Sequence, residues 1–347
     1  MKANVLEAVN NLVYKNISEP VLKEGEVLVE VKAAGICSSD IPRIFFTGTY
    51  SFPLIPGHEF AGVVRKISSE KYEPWLNKAV SVFPLLPCGR CPSCLKGIYE
   101  TCSNYGYLGS RNNGGFADYV AVPEWNLIEL PSDITFEQAA MLEPIAVALH
   151  AVKQINLTEE SVVAIYGPGT IGILIAQWCR MFGAKKILIV GTREEQSELV
   201  KKLGFKHFCN TNKHDPSLWV CENTGGIGSD ISIDAVGDAK VLKNCIESTR
   251  PCGEILLVGN PNKDFNIDRE LYWKILRKQL TMVGTWNSSY NNDGNNDWTE
   301  AMKALQNKTI IADELITHKY NFDKLADALE IAKSRSEYYC KMMLVRD

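Results

Sequence analysis

The spacing of apolar residues changes character near residue 160. Before that point it comes in short alternating runs, EVLVEVKAAGI at 26–36, FAGVVRKI at 60–67 and ADYVAV at 117–122, with Gly and Pro between them. Alternation of this kind predicts half-buried strands joined by long loops, an all-β core. From Ser161 onward the apolar positions bunch into SVVAIYG, KILIVG, DISIDAVG and GEILLVG, each separated by about one helix of sequence. Strand and helix units repeated in this way predict an α/β domain with a parallel sheet. After residue 285 the stretch NSSYNNDGNNDW reads as a loop, followed by helices over Trp298–Asn307 and Asp323–Arg335 and a last strand, KMMLVRD. The uncharged run from Val162 to Cys179 is long enough to imitate a membrane span. Gly167, Pro168 and Gly169 interrupt its middle, so it is read as strand, turn and buried helix.

Composition narrows the function classes. With 347 residues, 46% of them hydrophobic, the chain can bury more than one domain's core. A formal net charge of -4 and scattered Lys and Arg exclude a nucleic-acid partner. The first twenty residues lack the apolar core of a signal peptide, so the expected location is cytoplasmic. In that reducing setting the 11 cysteines read as thiols or metal ligands.

Four of them, Cys88, Cys91, Cys94 and Cys102, follow C-x2-C-x2-C-x7-C. One tight loop can thus present four thiolates to a tetrahedral ion. Zinc suits soft donors and imposes no ligand-field geometry; with no open position, such a site is structural. An iron-sulfur cluster is the rival, although its common bacterial spacing ends in C-x3-C-P. Cys179, Cys209, Cys221, Cys245, Cys252 and Cys340 lack ligand spacing and read as packing residues.

A second group of donors is spread over GICSSD (35–40), GHEF (57–60) and LEPIAVALH (142–150). Each is weak evidence alone. In this order, beside the cysteine lobe, they resemble the zinc-containing medium-chain alcohol and polyol dehydrogenases along nearly the whole chain. The resemblance implies a GroES-like β-rich catalytic domain (1–150 with 286–347) and a Rossmann doubly wound domain (151–285). It also implies a catalytic zinc on Cys37, His58 and Glu143 with one exchangeable position, hence two zinc ions per chain. Glu59 would neighbour the metal or exchange onto it, Asp40 would orient His58, and Ser39 would take the substrate's proton. Many alcohol dehydrogenases complete that relay with a His three residues beyond the serine, where this chain has Pro42.

Gly167, Gly169 and Gly172 in GPGTIG follow an apolar strand and open a helix, the context in which G-x-G-x-x-G admits a dinucleotide pyrophosphate. Pro168, Thr170 and Ile171 complete that turn. Nineteen residues beyond Gly172, where an acid would bind the ribose hydroxyls, stand Gly191, Thr192 and Arg193. Room, a hydroxyl and a guanidinium favour NADP(H) over NAD(H); Glu194 and Glu195 at once afterwards keep the alternative open.

Within the family, SSDIPRIF, PLLPCGRCPSCLKGIYETC and YLGSRNNGGFADY are similar to the polyol branch. They imply hydride transfer at a secondary hydroxyl of a sugar alcohol, foremost a polyol phosphate such as galactitol 1-phosphate. Arg43 and Arg111, with Lys274 more distant, are candidate cations for a substrate phosphate; surface or ion-paired roles are the plain alternative. A free polyol (glucitol, xylitol), a threonine-like amino alcohol, and a zinc-stabilised binding protein without chemistry are the competing readings. The family's usual homodimer or homotetramer is expected by inheritance.

Overall fold

The structure, a computed structural model, describes residues 1–261, 263–291 and 293–346. Asn292 of the predicted loop and Asp347 of the last predicted strand lie outside the described residues. The chain divides into two compact units, one of residues 1–143, 289–306 and 315–347, the other of 144–288 and 307–314. The division falls within the helix Leu142–Val152, and 307–314 joins the second unit, a segment the sequence reading placed with the first.

The first unit is built on a seven-stranded sheet. Its central strand, Glu26–Ile36, pairs antiparallel with Glu59–Ile67 along most of its length. On its other side it pairs with Tyr119–Pro123 near its start and with Lys341–Val345 near its end. The N-terminal and C-terminal segments are thereby brought together: Met342 lies opposite Ile36 and Glu59 opposite Gly35. Val27, Val29, Val31, Val64, Val80 and Leu344 are fully buried in one core. Each such side chain contributes roughly 1.5–3 kcal/mol by leaving water. Gly62 permits the close approach of two strands, because a Cβ there would sit 1.9 Å from the Glu30 carbonyl oxygen. The Asn-rich stretch after 288 is anchored to this unit by aromatics. The Tyr290 ring lies 4.6 Å from that of Phe83, and its hydroxyl donates to the Trp125 carbonyl at 3.1 Å.

The second unit holds a six-stranded parallel sheet. In chain order its strands are Val162–Tyr166, Lys186–Gly191, His207–Asn210, Ser229–Asp234, Thr249–Leu257 and Thr281–Gly284. Their order across the sheet is third, second, first, fourth, fifth, sixth, the doubly wound arrangement. Sequence patterning predicted four of them. His207–Asn210 and Thr281–Gly284 have only four residues each, too few to show a period. Trp178, in the helix Thr170–Met181, is fully buried and donates its indole N–H to the Ile145 carbonyl at 3.1 Å. The two predicted C-terminal helices run Asp297–Gln306 and Leu325–Ser334. Among the described residues no helix is long and apolar enough to cross a membrane.

Candidate active site and metal centres

Cys37 ends the central strand's run, and the chain then turns. The Cys37 N–H donates to Asp40 Oδ2 at 3.0 Å, and the turn leads into the short helix Asp40–Pro42. Ser39 donates from Oγ to Cys37 Sγ at 3.2 Å and accepts from Arg43 Nη1 at 2.9 Å. His58 follows Gly57, whose positive φ of 95° and contact with the Phe116 ring exclude a side chain. His58 Nδ1 lies 3.4 Å from Asp40 Oδ1, an ion-pair contact too long and poorly aligned for a hydrogen bond. With Nδ1 turned to Asp40, Nε2 is the ring nitrogen left to hold a metal. Burial by itself lowers the His58 pKa, but Asp40 and Cys37 outweigh it and raise it well above the ordinary histidine value.

Ligand atoms of Cys37, His58 and Glu59 lie within 4.8 Å of one another. Glu143, in the first turn of Leu142–Val152, lies outside that trio; its Oε1 accepts from the Tyr107 hydroxyl at 3.1 Å. Burial raises the Glu143 pKa to about 7, with His58 and Glu59 near enough to oppose and reinforce the shift. Glu59 is fastened by a residue that the sequence reading passed over. Lys341 Nζ, 3% exposed, donates to both Glu59 oxygens, at 2.5 and 2.8 Å, and to the Ile36 carbonyl at 3.2 Å. Gly35 makes this possible, since a Cβ there would fall 2.2 Å from Glu59 Oε2. Burial lowers the Lys341 pKa, and the facing Glu59 more than restores it.

The donor chemistry suits zinc. Asp40, Glu59 and Glu143 are all buried, against the buried Lys341 ammonium, the half-exposed Arg43 and the His58 imidazole, which must be neutral to ligate a metal. Carboxylates do not stay ionised in such surroundings without positive charge, and a divalent cation at a thiol, an imidazole and a carboxylate would supply it.

Cys88, Cys91, Cys94 and Cys102 also converge, their sulfurs within 4.8 Å of one another. The separations are 4.0 Å for Cys88–Cys94 and 3.8 Å for Cys91–Cys102. A zinc–sulfur bond of about 2.3 Å gives a tetrahedral edge of about 3.8 Å, so the lobe has the dimensions of a four-thiolate zinc site. Backbone N–H groups of Cys94 and Ser103 pull the Cys91 pKa down to about 5. Burial pushes Cys94 up to about 12. Of the other six cysteines, Cys179, Cys209, Cys245 and Cys340 are buried and Cys221 is half-buried. Cys252 is exposed, at a φ of 56° within the strand Thr249–Leu257, so it is not a packing residue.

The glycine turn has the form a dinucleotide needs. A Cβ on Gly172 would meet the Gly167 oxygen at 2.1 Å, whereas one on Gly169 would meet no atom within 4 Å. The open face lies at the start of the helix Thr170–Met181, where backbone N–H groups and the helix dipole favour phosphate. At the end of the second strand the Gln196 carboxamide closes over Gly191, accepting from the Thr192 and Arg193 N–H groups at 2.9 and 3.0 Å. Glu194 is engaged with Asn210 and Lys213, both at 3.1 Å.

Of the candidate phosphate cations, Lys274 pairs with Glu247 at 2.6 Å in the nucleotide unit and is thereby committed. Arg43 touches Ser39, and Arg111 lies between the rings of Tyr50 and Tyr105, 3.8 and 4.3 Å from their centroids.

Comparison with known proteins bears on the whole chain. Residues 23–132 match the family model described as "Alcohol dehydrogenase GroES-like domain", and residues 170–307 the one described as "Zinc-binding dehydrogenase". The galactitol 1-phosphate 5-dehydrogenase of Escherichia coli K12 is 32% identical over 93% of each chain. The sorbitol dehydrogenase of Halalkalibacterium halodurans is 30% identical over 91% of each. The crystal structure of galactitol-1-phosphate dehydrogenase from Escherichia coli superposes with a TM-score of 0.89 at 30% identity, covering all of both chains. Matches of this extent, on a GroES-like unit and a Rossmann sheet, make the chain an oxidoreductase: it belongs to the zinc-dependent medium-chain alcohol and polyol dehydrogenases.

Proposed function

We propose that the protein oxidises a secondary hydroxyl of a sugar alcohol, foremost a polyol phosphate such as galactitol 1-phosphate, reversibly and with NADP as hydride acceptor. The observation that carries this reading is the convergence of a thiol, an imidazole and a carboxylate at Cys37, His58 and Glu59, with the buried Glu143 held by Tyr107 in the same unit. Cys37, His58 and Glu143 are assigned as holders of a catalytic zinc and the four-cysteine lobe as holder of a structural one. Glu59, both of whose oxygens accept from Lys341, is assigned as the neighbour of the metal or a ligand that exchanges onto it. Zinc held there supplies Lewis acidity, which favours loss of the substrate's hydroxyl proton. The nicotinamide supplies the hydride acceptor.

The chain's own residues set the proton path. Ser39 Oγ is the acceptor nearest the metal-binding thiol. Arg43 remains protonated throughout, so it holds Ser39 in place and passes no proton on. It does not substitute for the relay histidine. Asp40 keeps the His58 ring turned with Nδ1 toward itself.

NADP is favoured because Thr192 and Arg193, rather than an acid, follow Gly191 directly. Gln196 covers that glycine, Glu194 is neutralised by Lys213, and Thr192 and Arg193 stand next to it. The partner assigned to the exposed edge strand Thr281–Gly284, and to Tyr272 and Leu276 on the adjoining helix Arg269–Lys278, is a second copy of this chain. A cytoplasmic location follows from the same reading.

The test is kcat/KM for pentitols and hexitols, each with and without phosphate, against NADP and NAD. The reading expects the highest value for a phosphorylated hexitol with NADP. A clear preference for NAD would remove the cofactor assignment, and equal or better turnover of free glucitol or xylitol would replace polyol phosphate by free polyol.

A further inference from the structure

An open cavity of about 310 Å³ in the first unit is lined by Arg43, Thr47, Gly48, Thr49, Tyr50 and Ser110. No acidic side chain lines it. It lies one guanidinium away from the metal-binding thiol: Arg43 forms its wall and bonds Ser39, which in turn bonds Cys37. Arg43 is ion-paired with the buried Asp40 at 3.6 Å.

Behind Tyr50 lies a second cation with no acid of its own. Arg111 is half-buried, its guanidinium clamped between Tyr50 and Tyr105, and its Nε is buried without a hydrogen-bond acceptor. No carboxylate among the described residues pairs with it. The loop that carries it is fixed, not floppy. The Arg111 and Asn112 N–H groups donate to the Tyr107 carbonyl at 2.9 and 3.0 Å, and Asn113 Oδ1 accepts from the Ile55 N–H at 3.0 Å. Gly109 and Gly114 bring this loop against Gly57, next to His58, so closely that a Cβ on either would overlap the Gly57 backbone. A cation half removed from water, left unpaired by the protein and held rigidly beside the site, lowers the free energy of an anion that reaches it.

We propose that this cavity receives the terminal anionic group of an acyclic polyol substrate, with Arg43 in its wall and Arg111 as the residue that sets specificity for the anion. The proposal rests on the polyol dehydrogenase reading above and adds where the substrate's far end is recognised. Phosphate and carboxylate termini share the chemistry; the planar guanidinium serves either.

The experiment compares kcat/KM for a hexitol 1-phosphate, a hexonate and the free hexitol in the zinc-loaded wild type, Arg111→Met and Thr47→Glu. Thr47 is exposed, so its replacement places a carboxylate in the cavity without disturbing the core. The ratio of anionic to free substrate is expected to fall by about 10- to 100-fold in both variants. A fall confined to the phosphorylated substrate identifies phosphate, and one confined to the hexonate identifies carboxylate. A ratio within about twofold of wild type in both variants overturns the proposal, as does a wild type that prefers the free hexitol; the dehydrogenase reading survives either result. If no polyol is turned over, that reading fails, and the cavity is judged by calorimetry. Inorganic phosphate, titrated with saturating NADP present, should bind the wild type at least about tenfold tighter than Arg111→Met; equal binding overturns the proposal.

Discussion

Lys341 shows how much one side chain can decide. Its ammonium and the Glu59 carboxylate are both almost fully buried, and each is the other's main compensation. Removing one partner of such a pair leaves a buried charge unsatisfied, so Lys341→Met should cost about 3–5 kcal/mol in denaturant unfolding of the first unit. Adding Glu59→Gln to that variant should recover most of the loss, because a neutral amide needs no counter-charge. Equal stability of the single and double variants would contradict the pairing. Gly35→Ala tests the same contact from the opposite strand. Its Cβ would displace the clamped carboxylate, for a loss of about 1–3 kcal/mol. Neither Lys341 nor Gly35 could be read as a site residue from sequence. A lysine opening KMMLV resembles the exposed start of a strand, and only the pairing of Met342 with Ile36 carries it to Glu59. The nearness of Cys37 to His58 was legible because family resemblance fixed the motifs. The roles of Glu143 and Glu59 came from the same resemblance; what was not legible is that Lys341 engages Glu59 and Tyr107 engages Glu143, since the fold alone brings those partners together.

Among the elements, the cysteine lobe and the glycine turn were the most legible, because their chemistry is local. Four sulfurs within fifteen residues, or three glycines within six, constrain the backbone whatever the rest of the chain does. Cys94→Ser should release about one zinc per chain and lower the melting temperature by several degrees, as read by elemental analysis and calorimetry. Unchanged metal content would argue against a structural ion there. Gly172→Val should weaken NADP binding more than about tenfold by forcing the turn open against the Gly167 oxygen, a change that fluorescence titration would detect. The two four-residue strands escaped sequence reading for the opposite reason: their pairing with Lys186–Gly191 and Thr249–Leu257, not their own pattern, makes them strands.

At the scale of the molecule, the shift in patterning near residue 160 anticipated two units of different architecture, and the comparisons give both their family. Patterning could not see that residues 307–314 belong with the nucleotide unit, since that membership is set by contacts such as Gln177 with the Ile311 backbone at 2.8 and 3.1 Å. The account depends on two metal centres with different tasks in one chain, and zinc content measured beside turnover in wild type and Cys37→Ala tests this most directly. About two zinc ions per chain in the wild type, about one in the variant and turnover lost with it is the predicted result. The same metal content in both proteins, with turnover undiminished, would contradict it.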